Sequence, residues 1–373
     1  PGGIVVIPDY KDVFDFTPVQ YPANNPEAAW KTTHYEYHDI ESNVLKLDIL
    51  GHVDPTAMKF LEEVSGIDVS TINMNDQKTL SLFTSTSALM IDERRVLDKN
   101  GAVGLPEFGT SFVRSMLDDT KPNKFSDLVR ISGLSHGTDV WLSNAQAIIL
   151  DGLTLDDVIS CRDDIMTFLS HKGLKPKLAF TIMESVRKGK GLKPDWIDEM
   201  QKVGVQDWYI DSAEKIKYLF PKAHAVAYTM MGFRVAWFKV HMPLAFYAQF
   251  FSLRCTHFDI EVMCGGADVI LAKINDIKTR KDSYDPEVKA SAKEIGLLTT
   301  LEVALEMVLR GYDFTPLSIH KSPATRFWPD PEIKKNLMIP FNAVERLGNS
   351  IAENIVIERE LNDFLSIEDL SKR

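Results

Sequence analysis

The amino-acid sequence predicts a mainly α fold with a small α/β part, and two observations support this class. Short apolar runs typical of β-strands lie near the start of the chain, at residues 4–7 and 44–50. From Pro55 to about Tyr284, apolar residues instead recur every three or four positions, and Gly, Pro and Asn separate the segments. The length of 373 residues predicts two or three domains, and the apolar and charged contents of 45% and 25% are those of an ordinary globular protein.

Two strands are predicted in the first part of the chain. Residues 4–7 are interpreted as a buried strand that ends at Pro8, and residues 44–50 as a second strand in which Lys46 and Asp48 alternate with apolar neighbours. An acid in an apolar strand costs free energy unless it is paired with a cation or binds a metal ion. Asp48 alone does not make a magnesium site, because such sites use at least two carboxylates.

A long helix is predicted between Pro221 and Pro243, since proline favours the first helical position and interrupts a helix that has already formed. Lys222 and His224 then lie in its first turn, where free backbone N–H groups and the helix dipole attract anions. Tyr228 follows His224 by four residues and shares its face. This turn suits a phosphate ligand, and the alternative is that His224 only caps the helix or packs against it.

The last part of the chain is predicted to contain another strong helix within residues 283–309, followed by a connector rich in proline. The prolines of this connector are Pro316, Pro323, Pro329 and Pro331. Since proline interrupts regular structure, we place a domain boundary in this region.

The charge of the chain is unevenly distributed. The formal net charge of −11 argues against binding of nucleic acid over the whole surface, because phosphate affinity comes mainly from Lys and Arg. Between His171 and Lys193, however, seven basic residues face the single acid Glu184: they are Lys172, Lys175, Lys177, Arg187, Lys188, Lys190 and Lys193. Such a run is either a solvent-exposed surface that binds no ligand or an anion-binding segment. Gly189 and Gly191 favour the second interpretation, because glycine lets the backbone approach phosphates closely.

The sequence also indicates where the protein acts. The three cysteines, Cys161, Cys255 and Cys264, show no CxxC spacing, so they predict neither a disulfide framework nor a zinc site. Free cysteines fit a reducing cytoplasmic location best. The apolar stretch at residues 223–251 contains Arg234, Lys239 and His241, which predicts a core helix and no membrane partner. The start at Pro1 has no leader pattern, and we expect the chain to be part of a longer protein.

One short motif predicts a hydrolase. Residues 133–137, Gly-Leu-Ser-His-Gly, match the nucleophile elbow of α/β-hydrolases, with Ser135 as the nucleophile. That interpretation requires a strand before the motif, a helix after it and alternating βα units along the chain. The predicted helical surroundings do not supply them, so the hydrolase remains an alternative hypothesis.

Longer segments resemble one protein family. Residues 1–8 and 45–51 are similar to consecutive palm motifs of the bacterial C-family replicative DNA polymerases. Further segments resemble the PolC type of the DNA polymerase III alpha subunit, and these are residues 105–109, 131–141, 161–166, 183–191 and 220–228. The resemblance extends over nearly the whole chain and explains the Gly-Leu-Ser-His-Gly sequence as part of a fingers motif around His136.

The resemblance implies three regions. They are the rear part of a polymerase-beta-like nucleotidyltransferase palm at residues 1–60, helical fingers at 61–285, and the start of a duplex-binding region with a first helix-hairpin-helix at 286–373. In such palms three aspartates hold two Mg²⁺ ions, and Asp48 matches the third. The other two belong to an Asp-x-Asp motif expected upstream of Pro1, so we expect the chain alone not to polymerise DNA.

The resemblance also implies roles for particular side chains. The residues that match the family's nucleotide-binding positions are Arg162, Arg187, Lys188, Lys222 and His224, with Tyr218 beside the sugar or base. The expected DNA-binding residues are His136, Lys190, Arg346 and Gly348. Arg346 replaces the first glycine of the usual Gly-Leu-Gly hairpin, and a positive φ is less accessible to arginine.

The function implied by the family is template-directed DNA synthesis in chromosomal replication. A deoxynucleotidyl group is transferred from a dNTP to a primer 3′-hydroxyl by a two-metal mechanism. The expected partners are primer–template DNA and dNTP and, for the full-length protein, the sliding clamp and replisome subunits. The alternatives are a non-catalytic nucleic-acid-binding module and a serine hydrolase that uses Ser135.

Overall fold

The structure is a computed structural model that describes residues 2–49, 51–91 and 98–373. Two residues of the predicted palm motifs, Pro1 and Leu50, lie outside the described residues. The chain divides into two compact units, Pro1–Pro55 and Thr56–Arg373. Helices dominate the second unit, and the predicted mainly α fold with a small α/β part is confirmed.

The described residues of the first unit contain four short strands and one short α-helix, together with two 3₁₀ turns at Val13–Asp15 and Pro22–Asn24. The strands and the α-helix are β1 (Gly3–Val6), β2 (Val19–Gln20), β3 (Thr32–Thr33), α1 (Tyr37–Ile40) and β4 (Leu45–Asp48). β1 pairs antiparallel with β4, and β2 pairs antiparallel with β3. Gly3 lies opposite Asp48 in the first of these ribbons.

The prediction of a buried first strand is wrong. Ile4 and Val6 of β1 are exposed, and so are Leu45 and Leu47 of β4. The reason is that β1 and β4 form a ribbon of two strands among the described residues, and two strands alone cannot cover both of their faces. Asp48 is therefore not an acid in a buried strand, since its side chain is 57% exposed.

The first part of the second unit is a series of helices that carries the candidate site. They are α2 (Asp54–Ser65), which crosses the boundary between the units, α3 (Gln77–Ser81), α4 (Ser111–Thr120), α5 (Phe125–His136), α6 (Gln146–Leu150), α7 (Arg162–His171), α8 (Pro176–Arg187), α9 (Pro194–Lys202), α10 (Asp207–Lys215) and α11 (Lys222–His241). The predicted start of α11 is confirmed, with Pro221 directly before its first residue. Pro243 begins the next helix.

The remaining helices and a small sheet complete the second unit. They are α12 (Pro243–Leu253), α13 (Ile260–Met263), α14 (Ala267–Lys281), α15 (Ala292–Leu309), β5 (Asp313–Thr315), β6 (Trp328–Pro329), β7 (Asn336–Met338), α16 (Asn349–Leu361) and α17 (Ile367–Lys372). The strand order in the sheet is β5-β7-β6. The helix predicted within residues 283–309 is α15, and it begins at Ala292, where Ser291 and Glu294 form a capping box.

The core of the second unit is tied together by a fully buried lysine. The three donors of the Lys239 ammonium have three partners: the carbonyl oxygens of Gly101 and Val103, at 2.8 and 2.6 Å, and the Glu306 carboxylate at 2.8 Å. Tyr247 donates a further hydrogen bond of 2.7 Å to Glu306. Helices α11, α12 and α15 are thereby joined to the loop at residues 98–109.

Within the described residues, the structure has no helix that combines the length and the apolar character needed to cross a membrane.

Candidate nucleotide and nucleic-acid site

Two helix N-termini meet in the second unit. The backbone N–H of Arg162, the first residue of α7, donates to the carbonyl of Phe220 over 3.2 Å. The backbone N–H of Lys222, the first residue of α11, donates to the Asp163 carboxylate over 2.9 Å. The first turns of α7 and α11 are therefore adjacent, and both direct positive dipole ends to this region.

Asp164 fixes the lysine side chain at this junction. Its carboxylate accepts hydrogen bonds from the Lys222 ammonium at 2.8 Å and from the backbone N–H of Cys161 at 2.9 Å. Burial acts to raise the pKa of Asp164, but the hydrogen bonds from Lys222 and Ser160 and the charge of Arg130 hold it below its usual range. Asp164 is thus ionised at neutral pH. Lys222 remains 45% exposed and can contact a ligand with its other donors.

A second pair of cations lies at the end of α8. Arg187 grips the Glu184 carboxylate with two nitrogens, of which Nη2 is 2.8 Å from Oε2, and the Lys188 ammonium is 3.3 Å from the same carboxylate. The hydrogen bond from Arg187 lowers the pKa of Glu184, which stays ionised. One carboxylate therefore orders two cations and leaves a positive excess.

The turn after α8 requires glycine. Gly189 has a φ of +66°, and a Cβ built on it would lie 2.5 Å from the Lys217 carbonyl oxygen. Lys217 directly precedes a β-bridge between Thr138 and Tyr218. Its N–H donates to the Thr138 carbonyl, and the Thr138 N–H donates to the carbonyl of Tyr218, both over 3.0 Å. The glycine thus brings Arg187 and Lys188 beside the exposed Tyr218.

Aromatic rings lie beside the cations at the start of α11. The His136 ring stacks on Phe220 with centroids 4.7 Å apart, and Phe220 also stacks on Tyr228 at 6.3 Å. The rings of His224 and Tyr228 are 6.4 Å apart, which confirms that they share a face of α11. The Glu107 carboxylate lies 2.6 Å from Nε2 of His136 and orients that ring. The surface formed by these elements presents cations next to π-faces, the groups that recognise nucleotides and nucleic acids.

Comparison with known proteins identifies the family. The family described as the bacterial DNA polymerase III alpha subunit finger domain matches residues 51–206, and the one described as the bacterial DNA polymerase III alpha NTPase domain matches residues 1–51. Over the whole chain, the DNA polymerase III PolC-type proteins of Oceanobacillus iheyensis, Bacillus subtilis and Listeria monocytogenes are 51%, 52% and 52% identical. The chain belongs to the PolC-type DNA polymerase III alpha family. It spans about a quarter of the length of these relatives, 26% of the first and 25% of the other two.

The match to PolC-type DNA polymerases confirms the family predicted from the sequence motifs. It also agrees with the geometry, since residues 51–206 include α7 and α8, which carry Arg162, Arg187 and Lys188. Lys222 and His224 follow on α11 and meet α7 directly. Among the predicted nucleotide-binding residues, the structure therefore brings the cations into two neighbouring groups at the ends of three helices.

Asp48 of this PolC-type chain lies in the other unit, on β4. Its side chain is 3.2 Å from the Lys46 ammonium. Within the described parts of the chain, no three carboxylate, histidine or cysteine side chains are grouped as metal ligands. A lone exposed carboxylate does not fit a Mg²⁺ ion, which usually needs at least one further carboxylate or substrate phosphates. Asp48 is one ligand at most.

The predicted helix-hairpin-helix has only part of its expected form. Residues 341–343 make a single 3₁₀ turn where a first helix was expected, and α16 begins directly after Gly348. Arg346 is exposed and adopts a φ of +69°, so arginine does reach the conformation for which glycine is usual. An arginine held in this way costs about 1 kcal/mol of strain or more. Lys190, the remaining predicted DNA contact, is exposed in the turn after α8.

Several residues of the site were missed in the sequence. Glu107 belongs to a motif that marked the family, but no role was assigned to it. Asp163 and Asp164 were seen only as neighbours of Arg162, and Phe220 as the neighbour of Pro221. The signal that was available is the acidic pair at the start of α7, because carboxylates favour helix N-termini. That they hold α11 depends on the fold.

Ser135 is not a nucleophile in this structure. It lies in the last turn of α5, where its hydroxyl donates to the carbonyl of Ser132 over 2.9 Å. The motif therefore ends a helix and does not follow a strand, which contradicts the nucleophile elbow. We expect a fluorophosphonate probe not to label the protein and Ser135→Ala to leave nucleotide addition unchanged. Labelling that disappears in Ser135→Ala would restore the hydrolase hypothesis.

Proposed function

We propose that this chain carries the site that binds the incoming nucleotide and part of the DNA-binding surface of a template-directed replicative DNA polymerase. We call the proposed nucleotide-binding residues the nucleotide grip, and they are Arg162, Arg187, Lys188, Tyr218, Lys222 and His224. The full-length protein transfers a deoxynucleotidyl group from a dNTP to a primer 3′-hydroxyl during chromosomal replication in the cytoplasm. The observation that supports this most directly is the convergence of the first turns of α7 and α11 beside the Arg187–Lys188 pair. A triphosphate carries the charge that such an arrangement attracts.

The proposed role of the cations is electrostatic. Lys222, Arg162 and His224 lie around the joined helix N-termini, and Arg187 and Lys188 lie at the end of α8. As the bond to the pyrophosphate breaks, negative charge develops on the leaving oxygens, and fixed cations stabilise it without reorganising. Asp164 and Glu184 fix Lys222, Arg187 and Lys188 in place beforehand, so less ordering remains when the nucleotide binds. In this proposal Tyr218 contacts the sugar or the base of the incoming nucleotide.

The division of labour along the chain is also part of the proposal. Residues 1–60 form the rear of the palm, residues 61–285 the fingers and residues 286–373 the start of the duplex-binding region. Two further aspartates from elsewhere in the full-length protein join Asp48 to hold Mg²⁺, which activates the primer hydroxyl and neutralises the triphosphate. His136, Lys190, Arg346 and Gly348 contact the primer–template, while the sliding clamp and replisome subunits bind the full-length protein.

A nucleotide titration tests the grip. In the full-length protein with primer–template and Mg²⁺, we expect Arg187→Ala combined with Lys188→Ala to weaken binding of a fluorescent dNTP by about tenfold to a hundredfold. The loss has two sources: two cations that attract the triphosphate are removed, and the negative charge of Glu184 is left without its partners near the triphosphate. Adding Glu184→Gln removes that repulsion and should restore part of the affinity. Lys202→Ala, which removes a lysine paired with Glu199 on α9, is the matched control. Equal dNTP affinity in wild type and double variant would contradict the proposed grip.

A further inference from the structure

The other end of α8 carries charge and an aromatic ring that the nucleotide grip does not use. Lys172 and Lys175 lie in the turn between α7 and α8, and Lys177 lies in the first turn of α8. All three are exposed, and none of them forms an ion pair with any residue that the structure describes. In a chain with a net charge of −11, three unpaired lysines within six residues are an unusual local excess.

An exposed phenylalanine lies on the same face of α8 as Lys177. The buried residues of α8 are Ala179, Ile182, Met183 and Val186. The opposite face contains Lys177, Phe180 and Thr181, and the Phe180 side chain is 51% exposed. Along the helix axis, Phe180 lies about 4.5 Å beyond Lys177. We call Lys172, Lys175, Lys177 and Phe180 the α8 outer face.

We propose that the α8 outer face binds the single-stranded template ahead of the primer terminus. This inference rests on the proposed polymerase function. Lysines attract the phosphates, and an exposed aromatic ring stacks on an unpaired base, which together are the means by which proteins hold single strands. A duplex would use the lysines but not Phe180, because its bases are already stacked on each other.

The position of the α8 outer face supports this ligand. Ten residues separate Lys177 from Arg187, which corresponds to about 15 Å along the helix. One end of α8 therefore belongs to the proposed nucleotide grip, and the other end carries the unpaired lysines. The base to be copied must meet the incoming nucleotide, so the template strand has to approach that grip. A strand lying along α8 does so with its phosphates on lysines.

Two acids near this surface are already bound by other cations. Glu199 on α9 lies close enough to Lys175 to be influenced by its charge, but its carboxylate is bound by Lys202 at 2.6 Å. Glu184, farther along α8, is bound by Arg187 and Lys188. Lys172 lies over the ring of Phe168, with its ammonium 5.5 Å from the ring centroid. The positive charge of the α8 outer face is therefore available to phosphates.

The test compares two DNA substrates with the full-length protein. One primer–template has a single-stranded template overhang of about 20 nucleotides and the other an overhang of about two, since a longer single strand offers the phosphates and bases that this surface would hold. For Lys172→Ala, Lys175→Ala, Lys177→Ala combined, we expect affinity for the long overhang to fall about tenfold to a hundredfold. Affinity for the short overhang should not change. The slope of log affinity against log salt should become shallower by about 2, because three single-strand phosphate contacts are lost.

Two matched variants separate charge from stacking. Replacing the same three lysines with arginine keeps the charge and should preserve binding. Phe180→Ala should weaken binding of the long overhang about fivefold to a hundredfold with an unchanged salt slope. Phe112→Ala, which removes another exposed phenylalanine from α4, should have no effect. Equal losses on both substrates, or no loss on either, would overturn the proposal.

One other outcome assigns the surface to a protein partner. If the lysine variant binds both DNA substrates normally but loses a replisome protein, the template assignment is overturned. Failure of the wild-type enzyme to extend the short-overhang primer would refute the polymerase function itself. The binding comparison does not depend on extension, so the two failures are distinguishable.

Discussion

Replacing Asp48 with asparagine in the full-length protein is expected to slow nucleotide addition by about a thousandfold or more. A carboxylate that binds catalytic metal supplies several kcal/mol of transition-state stabilisation, and each 1.36 kcal/mol changes the rate tenfold. Asparagine keeps the shape of the side chain and removes its charge. The measurement is single-turnover primer extension at saturating dNTP and Mg²⁺, with primer–template affinity measured in parallel and expected to be unchanged.

The surroundings of Asp48 indicate that the substitution should leave the local fold intact. Asp48 is the last residue of β4, lies opposite Gly3 and is held in register by the Ile49 N–H, which donates to the Gly2 carbonyl over 3.0 Å. Its side chain is mostly exposed, so asparagine should not disturb the ribbon. Asp39→Asn, at another exposed aspartate of the same unit, is the control. An Asp48→Asn enzyme that adds nucleotides at the wild-type rate would remove Asp48 from the proposed metal site.

The second large effect is expected at Lys239. Burial lowers the pKa of this lysine to about 8, although Glu306 opposes the shift, so the ammonium is still protonated at pH 7. Lys239→Met removes the charge and leaves the Glu306 carboxylate and the carbonyls of Gly101 and Val103 without their partner. Breaking a buried pair in this way costs about 3–5 kcal/mol. In hydrogen-exchange measurements on the full-length protein, residues 98–109 and α11 should exchange roughly a hundredfold to a thousandfold faster.

A double variant separates the two contributions. Adding Glu306→Gln to Lys239→Met removes the uncompensated charge and should recover part of the lost protection, because a buried amide costs less than a buried carboxylate. Lys278→Met, which also removes a lysine bound to a carboxylate but from a half-exposed position, should change exchange little. Protection in Lys239→Met that equals the wild type would contradict a structural role for this network.

Local patterns in the sequence were sufficient for one part of the site. Pro221 predicted the start of α11, and the spacing of His224 and Tyr228 predicted their shared face, since both depend only on helix geometry. The helix predicted within residues 283–309 is present, and the capping-box pattern of Ser291 and Glu294 is a local signal that would also have given its first residue.

Other features depend on contacts that are distant in sequence. Lys222 and Asp164 are 58 residues apart, and Glu107 and His136 are 29 residues apart. The pattern of one segment does not reveal such partners. Lys239 was noticed only as a charge that argues against a membrane helix. The exposure of β1 was mispredicted for the same reason, because apolar composition predicts burial only if something covers the strand.

The helix α11 connects two of these distant contacts. It has 20 residues and is about 30 Å long, with Lys222 and His224 in its first turn and Lys239 near its other end. Lys239 holds residues 98–109, and that loop returns to the site through Glu107 and His136. A substitution near Lys239 that spares folding is therefore expected to change the affinity for nucleotide without touching it. Residues that never contact a ligand of the proposed nucleotide site would in that way still determine how strongly it binds.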